Sequence, residues 1–143
     1  MAEGWKRARL EDIPAAGLGV DPAYWQQWAR DTGFGAGWRS IRHFFGISGF
    51  GVNASEAAAG DELVVPHDEL EFGGQEELYL VLRGRARFVC DGEEVELDEG
   101  DLLYVRPDVT REARALETPT LLFMVGGVPG EPYSAWPGDQ SSW

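Results

Sequence analysis

Apolar and polar residues alternate over most of residues 41–127, which is the period of a β-strand whose two sides face different surroundings. Turn-forming pairs such as Asp91-Gly92 and Pro107-Asp108 separate the segments at short intervals. No long helical period lies between them. The pattern predicts an all-β sandwich or barrel, with strands in "IRHFFGISGFGVN", "DELVVPHDE", "EELYLVL", "RARFVC", "EEVEL", "DLLYVRP", "REARALE" and "TLLFMVGG".

The first forty residues carry a different pattern and form an N-terminal arm. Within "DPAYWQQWARDTG", Asp21 is a candidate N-cap, Pro22 suits the first helical position, and Gly33 suits the residue after the last turn. The arm, residues 1–40, is therefore predicted to contain one short helix with an aromatic face.

The last sixteen residues, 128–143, are rich in Gly, Pro and Ser and show no periodicity. They predict an extended tail whose Tyr133 and Trp136 pack against the main body. With a length of 143 residues, the arm, the β-domain 41–127 and the tail form one domain.

Charge and cysteine content exclude several classes of protein. The chain has 25 acidic and 12 basic residues, a net charge of −13, which disfavours nucleic acid and anionic lipid as partners. It shows no apolar run long enough for a membrane span and no secretory signal pattern, so we expect a cytoplasmic protein. Cys90 is the single cysteine, which rules out an internal disulfide and a cysteine-based zinc site.

Two stretches carry a family resemblance. "EELYLVLRGRARF" (76–88) resembles the second half of the first cupin motif, and "EGDLLYVRPDVTREARALE" (99–117) resembles the second cupin motif. The resemblance covers residues 59–127. It implies a cupin double-stranded β-helix, or jelly-roll, barrel, like that of small stand-alone cupin-domain proteins of bacteria.

The resemblance also implies where a metal would bind. Metal-binding cupins take two histidines and a glutamate from the first motif and one histidine from the second. Glu77 matches the glutamate, whereas the second-motif histidine position holds Arg111.

The histidine pair of the first motif has two possible alignments. Counting back from the glutamate places the pair at Glu71 and Gly73. If part of the loop 70–76 is an insertion, the pair falls at His67 and Glu69 instead. At most one histidine and two carboxylates of the resembled ligand set are therefore present.

Arg111 changes the chemistry expected at this site. A guanidinium keeps its charge and offers no lone pair, so it repels a divalent ion. We expect no metal, and a bidentate bridge from Arg111 to Glu77 or Glu69. The alternative is a divalent transition metal held by His67, Glu69 and Glu77, since one imidazole and two carboxylates can form a facial set.

Strand alternation places Glu77 and Tyr79 on one inward face, and Arg111, Ala113 and Ala115 on another. These groups form either a buried network that only holds the fold together, or a small-molecule pocket that takes an anion. For the pocket, the candidate ligand-binding residues are Glu77, Tyr79, Arg111, His67 and Glu69.

Four functions follow from these alternatives. The first is metal-independent binding of a small anionic ligand. The second is a metal-dependent oxygenase or isomerase using His67, Glu69 and Glu77. The third is a metal-free, epimerase-like enzyme with His67 as base and a tyrosine as acid. The fourth is a partner module; the apolar strands "LYLVL" and "LLFMV" predict a homodimer under any of them.

The remaining conspicuous side chains have structural interpretations. His43 lies in an apolar run and is expected in the core or an interface, and Cys90 is expected as a small buried side chain. The acidic residues 93–99 alternate with apolar ones and predict a solvated strand face, to which the arginines at 83, 85 and 87 pair across a hairpin.

Overall fold

The computed structural model describes residues 4–15, 37–70 and 73–133, so the predicted helix over 21–33, Trp136 and Glu71 lie outside the described residues. A 3₁₀ turn spans Leu10–Asp12 and a short helix, α1, spans Ile41–Phe45. In the described ranges, no helix is both long and apolar enough to cross a membrane. The strands are β1 Trp38–Arg39, β2 Gly51–Ala57, β3 Glu62–His67, β4 Glu76–Arg83, β5 Ala86–Cys90, β6 Glu93–Leu97, β7 Leu102–Val105, β8 Arg111–Ala115 and β9 Thr120–Gly127.

The strands form two antiparallel sheets. One has five strands in the order β1-β2-β9-β4-β7, and the other has four in the order β3-β8-β5-β6. Non-consecutive strands are neighbours in both sheets, so the chain crosses between them repeatedly, as in a jelly roll. The predicted all-β jelly-roll fold is confirmed. The predicted closed barrel is not seen, because in the described part of the chain each sheet ends at its own edge strands.

The main core lies between the two sheets and follows the predicted alternation. Tyr79 and Val81 of β4 are buried, as are Ala113 and Ala115 of β8. Phe88 of β5 is fully buried, and its ring centroid lies 5.0 Å from that of Tyr79. Side chains of both sheets therefore meet at full burial, which is the main stabilising contribution to this fold.

The segment "IRHFF" was expected to begin the strands, and this prediction is wrong. It forms α1, because the Ser40 side chain accepts a hydrogen bond from the His43 backbone N–H and Gly46 ends the helix at φ 71°. His43 is exposed on α1, so its expected place in the core is also wrong.

A second apolar cluster covers part of the outer face of the five-stranded sheet. Ile13 of the N-terminal arm and Ile41 of α1 pack there on Val52 and Ala54 of β2. Among the described residues, this cluster does not extend over β4 and β7. The uncovered patch consists of Leu78, Leu82, Leu102 and Tyr104, which are between 37% and 60% exposed.

The hairpin between β5 and β6 follows its prediction. Asp91 and Gly92 have φ of 48° and 85°, the positive values that a two-residue hairpin turn needs. Arg85 Nη2 and Arg87 Nη2 each donate to the Glu96 carboxylate at 2.9 Å, so the expected cross-strand pairing is confirmed for these two arginines. Both pairs are exposed and contribute little to stability.

Candidate functional site

A partly open cavity of about 210 Å³ lies between the sheets, bounded by β1, β2, β4 and β9 on one side and by β3 on the other. Its walls are largely apolar and include Trp38, Leu63 and Met124. Tyr133, from the segment after β9, also lines it and lies so close to Gly51 that a Cβ there would fall 2.7 Å from the tyrosine hydroxyl. The predicted packing of Tyr133 against the body is thus confirmed.

The polar end of the cavity is formed by the residues where β3 ends and β4 begins. His67 is the last residue of β3, and Glu69 follows two residues later, held by a backbone hydrogen bond to the Pro107 carbonyl. Glu77 and Tyr79 point inward from β4, as the strand period predicts. All four line the cavity.

One imidazole and two carboxylates are linked by short contacts. The His67 Nδ1 lies 2.7 Å from the Val65 carbonyl oxygen, and its Nε2 lies 2.9 Å from Glu69 Oε1 and 3.7 Å from Glu77 Oε1. The Tyr79 hydroxyl donates to the same Glu77 oxygen at 2.8 Å. Both nitrogens of His67 therefore face acceptors.

The surroundings shift the pKa values of these groups. Burial works against a charged His67, but hydrogen bonds to the two carboxylates outweigh it and raise the His67 pKa from 6.5 to about 9. Burial raises the pKa of Glu69 to about 7. Burial alone would also raise the Glu77 pKa, but hydrogen bonds from its neighbours and the charge of Arg111 lower it. Burial raises the Tyr79 pKa well above 10.

These contacts fix the charge of the cluster near neutral pH. Between the two pKa values, about 7 for Glu69 and about 9 for His67, the pair shares one proton across the 2.9 Å contact of Nε2 with Oε1 and is neutral. Glu77 is ionised and Arg111 is a permanent cation. The four side chains together are therefore neutral without any further ion.

Arg111 stands behind the two carboxylates and does not line the cavity. Its side chain is fully buried, and Nη2 donates to the Arg106 carbonyl oxygen at 2.9 Å. Its Nη1 lies 3.6 Å from Glu77 Oε1 and 3.8 Å from Glu69 Oε1. The expected bidentate bridge is wrong, because these distances are too long for hydrogen bonds. Among the described residues, Nε and Nη1 have no hydrogen-bond partner.

The geometry favours one of the two alignments of the histidine pair. His67 and Glu69 face Glu77, whereas Gly73 has no side chain and is exposed, and Glu71 lies outside the described residues. His67 also lies opposite Arg111 in the pairing of β3 with β8. This explains why Arg111, at the histidine position of the second motif, lies beside the cluster.

The cavity-wall residues that sequence reasoning missed include Trp38, Asn53 and Gln75. Each is at most 6% exposed and lines the cavity. For Asn53, a signal was available, since it is a polar residue between Val52 and Ala54 in β2. Cys90 is half-buried against the core, and burial raises its thiol pKa, in keeping with its expected structural role.

The donors fit a metal in type and spacing but not in their electrostatic setting. One atom from each of His67, Glu69 and Glu77 lies within 4.8 Å of the others, a span that one ion could bridge. The Nδ1 contact to the Val65 carbonyl is also typical of metal-ligating histidines. Against this, Arg111 lies within 4 Å of both carboxylates and cannot act as a ligand.

Two facing antiparallel sheets around a cavity with a polar end define a jelly-roll protein with a candidate ligand site. Residues 59–126 match the family described as Cupin domain. Residues 59–126 of the chain are thus a cupin domain, as its two motifs predicted. None of the curated proteins matches the sequence.

Solved structures of cupins are similar in fold. A cupin protein from Bacteroides fragilis aligns with a TM-score of 0.56 and 24% identity over 72% of this chain and 86% of its own. A protein described as a predicted oxalate decarboxylase from Thermotoga maritima gives a TM-score of 0.50, 16% identity, and coverages of 59% and 71%. A conserved protein of unknown function from Streptococcus pyogenes aligns with a TM-score of 0.50 and 19% identity over 58% of this chain and 68% of its own. At these identities the likeness shows the fold alone.

Proposed function

We propose that the protein binds a small organic molecule in the cavity between its sheets, without a metal ion. The observation that supports this most is the charge balance of the polar end. The His67–Glu69 pair shares a proton, and Arg111 offsets Glu77 at 3.6 Å. A cavity with apolar walls and a few converging polar groups is the usual form of a small-molecule site.

A divalent ion would disturb this balance. It would replace the shared proton and leave the buried cluster with one net positive charge, close to the fixed cation of Arg111. Burying an uncompensated charge is costly, and the repulsion between the ion and the guanidinium adds to that cost.

The ligand expected from the sequence, an anion held by Arg111, needs revision. Arg111 does not reach the cavity surface, whereas Glu69 and Glu77 do. An anion there would meet carboxylates rather than a free cation. We therefore assign Arg111 a positioning role, in which its charge keeps Glu77 ionised.

Screening in the presence of a chelator tests the proposal. Ligand-observed NMR of a small-molecule library with excess EDTA is expected to give binders. These should be lost in Val65→Phe, which fills the cavity, and kept in Val95→Phe, a matched change at a half-buried core position outside it. Binding that appears only after a transition metal is added would contradict the proposal.

The second candidate is a metal-dependent enzyme, favoured by the spacing of the three donor atoms. His67, Glu69 and Glu77 would hold the ion, which would supply a Lewis acid or a redox centre. The epimerase-like alternative is supported by one contact pattern only: His67 and Tyr79 line the same cavity and both approach Glu77.

We also propose that the uncovered patch of the five-stranded sheet joins two copies of the chain. Leu78, Leu82, Leu102 and Tyr104 are adjacent on β4 and β7, and Leu102 is 60% exposed. Apolar patches of this kind on small proteins often mark interfaces. Sedimentation velocity should show a dimer that Leu102→Glu dissociates; a monomeric wild-type protein at all concentrations would rule this out.

A further inference from the structure

The size of the cavity limits what it can hold. An engineered apolar cavity of about 150 Å³ in another protein holds benzene. The cavity here measures about 210 Å³. It therefore has room inside for one six-membered ring with one or two small substituents, and because the cavity is partly open, any larger ligand would extend beyond it.

The walls favour an apolar body for that ring. Trp38, Leu63 and Met124 line the cavity and are at most 7% exposed. Burying a ring against them removes apolar surface from water, which is the largest favourable term available at this site.

The polar end offers acceptors more than donors. The Tyr79 hydroxyl already donates to Glu77, and both His67 nitrogens already face acceptors. An ionised carboxylate has about four lone-pair sites, so Glu77 can accept a further hydrogen bond. The buried amides of Asn53 and Gln75 add polar atoms without adding charge. A ligand hydroxyl would find an acceptor here.

Charged ligands fit less well than neutral ones. The cavity walls are largely apolar, and Arg111 already lies within 4 Å of both carboxylates, so a cationic ligand would meet carboxylates that are already paired. Among the described residues, neither Lys nor Arg lines the cavity, and an anion would in addition face Glu69 and Glu77.

We propose that the cavity takes a neutral, ring-sized molecule that bears a hydroxyl group, with the ring against Trp38 and Met124 and the hydroxyl donating to Glu77. This inference rests on the metal-independent binding proposed above, since a metal at the polar end would change both its charge and its donors.

A matched set of four probes tests the inference: benzyl alcohol, toluene, benzoate and benzylammonium, which share one ring and differ in a single substituent. Titrations followed by NMR are carried out on the full chain with excess EDTA, and repeated after EDTA is replaced by Zn²⁺ or Mn²⁺. We expect benzyl alcohol to bind about tenfold or more tightly than each of the others, since one hydrogen bond to a carboxylate gives a difference of that order.

Glu77→Gln removes the charge at nearly constant shape, and it should reduce the preference for benzyl alcohol over toluene while weakening the discrimination against benzoate. The matched control is Glu76→Gln, the exposed neighbour on the same strand, which should change neither. If Glu77→Gln does not fold, the ranking of the four probes on the wild-type protein still tests the inference.

The outcomes separate this inference from the function on which it rests. Tightest binding of benzoate or benzylammonium in EDTA, or equal binding of toluene and benzyl alcohol, overturns the neutral-hydroxyl inference and leaves metal-independent binding in place. Binding that requires Zn²⁺ or Mn²⁺ overturns the proposed function. No binding of any probe under either condition overturns both.

Discussion

Replacing Arg111 by methionine removes a fully buried cation from between two carboxylates while keeping a side chain of comparable length. In the wild type, Nη1 lies 3.6 Å from Glu77 Oε1 and 3.8 Å from Glu69 Oε1. The replacement leaves Glu77 ionised in an apolar setting, with no positive charge nearby except that of His67, which already pairs with Glu69.

The size of the effect follows from these distances. With an effective dielectric constant of about 20, each contact corresponds to about 4–5 kcal/mol of attraction before desolvation is subtracted. Desolvation of the guanidinium offsets much of this sum, and breaking a buried pair from one side generally costs about 3–5 kcal/mol. We expect a loss of that size in the free energy of unfolding, a large share of the total of a small domain.

Urea unfolding at pH 7.5, extrapolated linearly to water, measures this loss. The control is Arg87→Met, which removes an exposed arginine paired with Glu96 and should cost far less. The double variant Arg111→Met/Glu77→Gln should be more stable than the sum of the single changes predicts, because the uncompensated charge is gone. An Arg111→Met loss no larger than that of the control would refute the charge-balance argument.

Three further predictions concern stability. Folding raises the His67 pKa from 6.5 to about 9, so protonated His67 stabilises the fold below pH 6.5, and this stabilisation, up to about 3 kcal/mol, is lost as the pH rises through 9. Chemical unfolding between pH 6.5 and 9 should therefore give a free energy of unfolding that falls with pH, and His67→Gln should reduce that fall. Tyr79→Phe should cost about 1–3 kcal/mol, whereas Tyr104→Phe, which breaks an exposed hydrogen bond to a carboxylate, should cost far less, and equal losses would argue against a special role for the buried hydroxyl. Gly92→Ala, at φ 85°, should lower stability by about 1 kcal/mol, and an unchanged melting temperature would contradict the assigned turn.

The strands were predictable because their period is local. Alternation alone identified Tyr79 and Val81 as core residues and the acidic strand as solvated, and Asp91-Gly92 identified the hairpin. The helix α1 was missed because "IRHFF" is apolar throughout, although Ser40 before it and Gly46 after it are ordinary cap signals. Closure into a barrel was wrongly expected because it depends on pairing between strands distant in sequence, which alternation does not report.

The site was predictable in its members and not in its contacts. The resemblance to the first cupin motif placed His67, Glu69 and Glu77 at one site once a loop insertion was allowed. The bidentate bridge failed because Nη2 of Arg111 is held by the carbonyl of Arg106, five residues earlier, through the turn that leads into β8. No pattern in the sequence indicates which backbone carbonyl accepts a hydrogen bond from a given side chain. Gln75 was missed for a related reason, since its burial depends on how its loop folds back.

Metal analysis of untagged purified protein by inductively coupled plasma mass spectrometry tests the central claim most directly, with His67→Ala as the comparison. The charge-balanced cluster of His67, Glu69, Glu77 and Arg111 predicts far less than one equivalent of any transition metal, both as purified and after incubation with excess ions followed by dialysis. Near-stoichiometric iron, manganese, zinc or nickel in the wild type that disappears in His67→Ala would contradict metal-independent binding and assign the three donors to a metal centre.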